Sequence, residues 1–180
     1  MSKLPLLLLA VLCSALWGCS SAPIHYHTLL PVQAGGAVTA RVRLERVEIP
    51  PQVDRSQLVV RQGDSGLVIL ENQWWGASLV DEFRSALEDR LGTPGTGAAL
   101  LRVSVQRFDL LPGHYALLDA RWSLQRAGGG PSLSCRSSLQ TAANDSVEGL
   151  VAAQQANLRR FVQLVAQASA NEAGGCPASN

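Results

Sequence analysis

The residues of this 180-residue chain best placed to do chemistry are its four cysteines, Cys13, Cys19, Cys135 and Cys176. A thiol has three ordinary fates: burial as a small apolar side chain, pairing in a disulfide, or covalent attachment of a group that is not protein. The surroundings of each cysteine separate these fates. The chain opens with one positive charge, Lys3, runs apolar from Leu4 to Leu16, and reaches small residues at Gly18, Ser20 and Ser21. That order of charge, hydrophobic stretch and small residues marks a secretory signal. The run falls short of the roughly 20 apolar residues that a membrane-spanning helix needs, and it lacks a basic stop-transfer flank.

The sequence Leu16-Trp17-Gly18-Cys19 resembles the lipobox of bacterial lipoproteins, with a leucine three before the cysteine and a glycine directly before it. In that pattern residues 1–18 are removed, and Cys19 becomes the first residue, with a diacylglycerol on its thiol and a further acyl chain on its amine. At about 0.8 kcal/mol per buried methylene, several chains anchor a protein firmly where one does not. The alternative is a buried cysteine in an uncleaved segment. Cleavage leaves 180 − 18 = 162 residues, enough for one domain with a sizeable core. It also removes the only lysine, leaving fourteen arginines against fourteen acidic residues. Zero net charge and no basic run give no electrostatic case for nucleic acid or for a polybasic membrane patch. Cys13 leaves with the signal, so Cys135 and Cys176 remain as an even pair, a disulfide candidate for an oxidising compartment that would tie the C-terminal tail to the body. The alternative is two unpaired thiols, Cys176 lying in a Gly-Gly-Cys-Pro tail.

Other residues invite a catalytic reading and do not sustain it. Gly63-Asp64-Ser65-Gly66 matches the nucleophile segment of trypsin-like proteases, but a nucleophilic serine needs a positioned base. The candidates His25, His27 and His114 lack that family's surroundings, and a hairpin turn explains the same four residues. His25 and His27, two apart on a strand, would share one face and could join His114 or Asp109 around a metal, but no Cys-His cluster completes a set and no metal site is expected. No glycine-rich phosphate loop precedes a helix, and the carboxylates form no acid–base pair, so neither a cofactor nor catalysis is expected. Trp74 and Trp75 stand out in a chain with 5% aromatics. They are interface candidates, Trp75 favouring the core at a sheet-to-helix junction and Trp74 an outer surface.

The elements that would position these residues follow from the hydrophobic pattern. Residues 19–38 read as an acylated tether with one strand-like piece around Ile24 to Leu30, and residues 39–172 as a single domain, with residues 173–180 as a tail. Val38 to Ile49 alternates with a one-residue slip at Glu45-Arg46, and Leu58 to Gln62 and Leu67 to Leu70 flank the glycine turn. Ser78 with Asp81 caps a helix whose apolar positions run Leu79, Val80, Phe83, Leu87, Leu91. Strands follow at Ala99 to Leu110, Tyr115 to Gln125 and Leu133 to Thr141, and a long helix starting near Asn144 to Ser146 carries Val147, Val151, Gln154, Leu158, Phe161 and Val165 on one face. The order strands, helix, strands, helix predicts an α+β fold, an antiparallel sheet with both helices on one face.

Taken in order, the lipobox at Cys19, the Tyr26-His27-Thr28-Leu29 segment, the strand Val42 to Ile49 ending at proline, the hairpin to Leu70, Trp75-x-x-x-Leu79 with Phe83, Arg84 and Leu87, and the last helix resemble the PqiC-type family of ABC-type transport auxiliary lipoproteins. The resemblance implies a non-enzymatic outer-membrane lipoprotein facing the periplasm. Its partner would be an MCE-domain transporter subunit that spans the periplasm and moves lipids or other hydrophobic molecules. Ser20 follows the lipidated cysteine where aspartate typically retains lipoproteins at the inner membrane, so it reads as an outer-membrane sorting residue. Self-association into a homo-oligomeric collar fits this role. A lipid-binding module, with an acyl-sized cavity between sheet and helices, and a lipid-anchored hydrolase are the competing readings.

Overall fold

The computed structural model describes residues 22–30, 32, 38, 40–130, 132–171 and 174–178. Residues 1–21, Cys19 and Ser20 among them, lie outside the described residues, as do 31, 33–37 and 39. The elements are β1 (His25–His27), β2 (Val42–Glu48), β3 (Gln57–Gln62), β4 (Gly66–Trp75), α1 (Leu79–Leu91), β5 (Ala99–Leu111), β6 (Tyr115–Gln125), β7 (Leu133–Ala142) and α2 (Val147–Ala170). The fold is α+β with the element order strands, helix, strands, helix.

The strands form two sheets rather than one, in the orders β1-β4-β3 and β2-β5-β6-β7. They are also mixed, which corrects the expectation of a purely antiparallel sheet: β1 runs parallel to β4, and β2 parallel to β5. The cause is the connection. Between β2 and β5 the chain makes a hairpin and a helix, and such a crossover returns it to the starting end of the sheet, where it runs parallel to the strand it left. The meander β5-β6-β7 is antiparallel, as its short turns require. The slip at Glu45-Arg46 is a bulge between Leu44 and Arg46, and a second bulge lies between Val105 and Arg107.

Strand β4 extends five residues beyond its expected end, from Glu71 to Trp75, and stops before Gly76. The hairpin turn holds Gly63 at φ 60°, and a Cβ on Gly66 would meet the Gln62 carbonyl oxygen at 2.5 Å, so this turn requires glycine at both ends.

Helix α1 is capped by Ser78, whose Oγ accepts from the Asp81 N–H at 3.3 Å and donates to Asp81 Oδ2 at 2.6 Å. Helix α2 is capped by Ser146, which accepts from the Gly149 N–H at 3.0 Å. Both helices bury one stripe, Leu79, Phe83, Ala86 and Leu87 in α1 and Leu150, Leu158, Phe161 and Val165 in α2. Against them pack the inward residues of the four-stranded sheet, among them Leu101, Val103, Leu118, Trp122 and Leu139. Two buried amides fix the register of α2 on β6. Gln154 Nε2 donates to the Leu117 carbonyl at 2.9 Å, and Asn157 Nδ2 to the Ala116 carbonyl at 3.0 Å. These bonds satisfy polar groups that would each cost about 1–3 kcal/mol if left unpaired.

Candidate functional site

The most chemically loaded surface is the solvent face of the four-stranded sheet. Strand alternation that sends Val103, Trp122 and Cys135 toward the helices sends Arg102, Arg121 and Arg136 outward, beside Arg46 and Glu48 of β2. They line an open groove of about 580 Å³. Most of these charges are paired: Arg102 Nε and Nη2 grip Glu45 at 2.7 and 3.1 Å, and Arg46 meets Glu48 at 2.9 Å. Arg136 donates to both oxygens of buried Asp119, at 3.0 and 2.6 Å. That bond, more than any other influence, holds the Asp119 carboxyl below the usual range, and the Arg107 and Arg121 charges act in the same direction. Nearby, Asp109 receives Arg61 at 2.9 Å and Arg107 at 2.6 Å.

Arg121 is the exception. It lies directly across from Arg136 in the β6–β7 register, a like-charge pair that costs a sheet about 0.2–1 kcal/mol. Asp119 answers Arg136, but among the described residues no hydrogen bond or ion pair answers Arg121. Arg121 therefore feels the Asp119 charge without a direct bond to it, which leaves its N–H donors open to a carboxylate or phosphate arriving from outside.

A second site gathers at the end of β4. Parallel pairing sets Tyr26 beside Trp74 and His27 beside Trp75. Trp75 is 2% exposed and packs edge-on against Phe108. Trp74 is half-buried on the other face, its ring 6.4 Å from exposed Tyr26 and its Nε1–H donating to the Glu71 carbonyl at 2.9 Å. The segment after β1 is latched by Glu82, a buried carboxylate of α1 that accepts from the Thr28 hydroxyl at 2.7 Å and the Leu29 N–H at 2.9 Å. Gly76 N–H donates to the His27 carbonyl at 2.8 Å, and Gln155 Nε2 to the Thr28 carbonyl at 2.9 Å. Cys135 and Cys176 are joined by a disulfide that brings the tail beyond α2 back to β7.

A sequence model of the ABC-type transport auxiliary lipoprotein component family matches residues 28–166. The chain belongs to that family. The match to this auxiliary lipoprotein family runs from Thr28, just after β1, through β2 to β7, α1 and most of α2, the elements that build the groove and the latch. Two crystal structures share the fold. One, of an uncharacterised protein, has a TM-score of 0.66 at 17% identity, covering 81% of this chain and 98% of the other. The second, from Xanthomonas campestris, has a TM-score of 0.59 at 14% identity, covering 81% and 92%. A comparison with curated proteins finds no match.

The auxiliary lipoprotein keeps its catalytic-looking residues apart. Ser65 sits in the β3–β4 turn, His25 and His27 on β1, and His114 in the β5–β6 turn; among the described residues no hydrogen bond joins Ser65 to a histidine. The His27 ring Nε2 lies 2.6 Å from Gln73 Oε1, and Asp109 is held by two arginines. Among the described residues no group of three or more His, Cys, Asp or Glu side chains is placed to hold a metal. Cys19 and Ser20 fall outside the described residues. Neither the arginine groove nor the inward turn of Glu82 is legible in the sequence. Single arginines at outward strand positions look like ordinary solvation, and only the register brings Arg121 against Arg136.

Proposed function

We propose that the protein is a non-enzymatic outer-membrane lipoprotein, anchored through Cys19 and facing the periplasm, that docks an MCE-domain subunit spanning the periplasm in a system moving lipids or other hydrophobic molecules. The observation that favours a docking adaptor over a lipid carrier is the filled space between sheet and helices. Leu101, Leu118, Leu139, Leu158, Phe161 and Val165 are each at most 1% exposed there. A carrier needs an apolar cavity of acyl dimensions at that place. The clefts instead lie at the surface and are lined by arginine, glutamate, serine and glycine as well as apolar residues. The docking face is the groove around Arg121, and the surface that fits it is acidic.

The test is cross-linking in cells from a photoreactive residue at Ser123, beside Arg121 in the groove. Capture of an MCE-domain subunit, lost in Arg121→Glu, is the expected result. Recovery of only cell-wall fragments or soluble substrates refutes the transporter reading, and continued membrane attachment of Cys19→Ser refutes the anchor.

A further inference from the structure

We infer that Ile24, Tyr26 and Trp74 form a patch that rests on the lipid bilayer and fixes how the domain sits against it. The inference deepens the reading of Cys19 as a lipid anchor and rests on it.

Ile24 lies five positions after Cys19, and an extended chain covers at most about 18 Å over that span, so strand β1 cannot stand far from the acylated residue. No Asp, Glu, Lys or Arg occurs between Lys3 and Arg41, so nothing charged has to be stripped of water as this segment approaches headgroups. Among the described residues five large apolar side chains are exposed, and three of them, Ile24 at 46%, Tyr26 at 65% and Val32, lie in this segment. The soluble surface of the domain offers no comparable reason to leave a tyrosine two-thirds open beside a half-exposed tryptophan.

The fold then enlarges the patch from a distant part of the sequence. Parallel pairing of β1 with β4 places Trp74 opposite Tyr26, on the face away from buried Trp75. Tyrosine and tryptophan are the side chains that favour the membrane–water boundary, having an apolar body and a polar tip. The Trp74 N–H is already satisfied by the Glu71 carbonyl, so the ring can enter the boundary without leaving an unmet donor. The latch on Thr28 and Leu29 by Glu82 and Gln155 makes the patch part of the domain rather than of a loose leader. An acyl anchor alone fixes distance from the membrane. The patch adds orientation, because it lets one side of the domain face the bilayer.

The experiment uses the full-length acylated protein in phosphatidylethanolamine–phosphatidylglycerol vesicles, with and without brominated acyl chains. Flotation reads the anchor, and lipid quenching of tryptophan emission reads the patch. The mature chain has three tryptophans, and Trp75 and Trp122, at 2% and 3% exposure, are out of reach of lipid bromine. Quenching is expected in the parent, absent in Trp74→Phe, and reduced in Tyr26→Asp, which alters an exposed side chain. Flotation without quenching overturns the patch while leaving the anchor standing. Failure to float refutes the anchor and the inference with it.

Discussion

Replacing Glu82 by alanine should release the segment after β1 from the body of the domain. The carboxylate is 7% exposed and accepts two hydrogen bonds through Oε2, from the Thr28 hydroxyl and the buried Leu29 N–H. A hydrogen bond to a charged group contributes about 1.5–3 kcal/mol, and the partly exposed hydroxyl adds about 1, so the latch is worth roughly 3 kcal/mol. At about 1.4 kcal/mol per tenfold change, hydrogen exchange at Leu29, and at Gly76 whose N–H holds the His27 carbonyl, should quicken on the order of 100-fold. The melting temperature should fall by about 6–12 °C if the loss reaches the whole domain, and less if only the segment lifts. Glu88→Ala, exposed on the same helix, serves as control and should change neither reading. Exchange at Leu29 within threefold of the parent would refute the claim that Glu82 holds this segment.

Gly76→Ala should weaken the same latch, because a Cβ there would stand 2.9 Å from Glu82 Oε1; exchange at Leu29 checks it. Arg90 is 4% exposed, with Nε and Nη2 lacking partners among the described residues, and burial, then the charge of Arg159, pushes its guanidinium below its ordinary range, so its charge is held at a cost. Arg90→Met should therefore raise the stability read from urea unfolding, by about 1–3 kcal/mol, and a lower urea midpoint would contradict the argument. Because the folded Asp119 carboxyl titrates below its usual range, it stabilises the fold above that range and loses the contribution as pH falls through the lowered value. Asp119→Asn should thus flatten the fall of urea midpoints between about pH 5 and 2. Cys135→Ser should cost about 4 kcal/mol in the chain-entropy account of a 41-residue separation, and reductant should give the same shift in the parent only.

The sequence carried the elements better than their partners. Alternation at Tyr115 to Gln125 marks β6 to the residue, Ser78 marks the start of α1, and the polar stretch Asn144 to Ser146 brackets the start of α2, since these signals act over a few neighbouring residues. Parallel pairing is not written locally: Val42 opposite Ala99 depends on the whole intervening crossover, and nothing near either residue encodes it. The same holds for the groove, where Arg121 and Arg136 meet only through the β6–β7 register. Glu82 was hidden differently. An acid in the first turn of a helix looks like a favourable dipole partner facing water, whereas here it turns inward to meet a backbone N–H from 53 residues earlier.

The two parallel pairings also set a timetable. His25 must wait for Gln73, 48 residues on, and Val42 for Ala99, 57 residues on, before either strand has its neighbour. Chains emerge N-terminus first, so the end of the domain that leads is the end that settles last, after the hairpin, α1 and β5 have formed. Until then β1 and β2 are unpaired edges, open to mispairing. Under the proposed anchoring through Cys19, closure of the fold is also the moment at which the leading end becomes one edge of the finished domain.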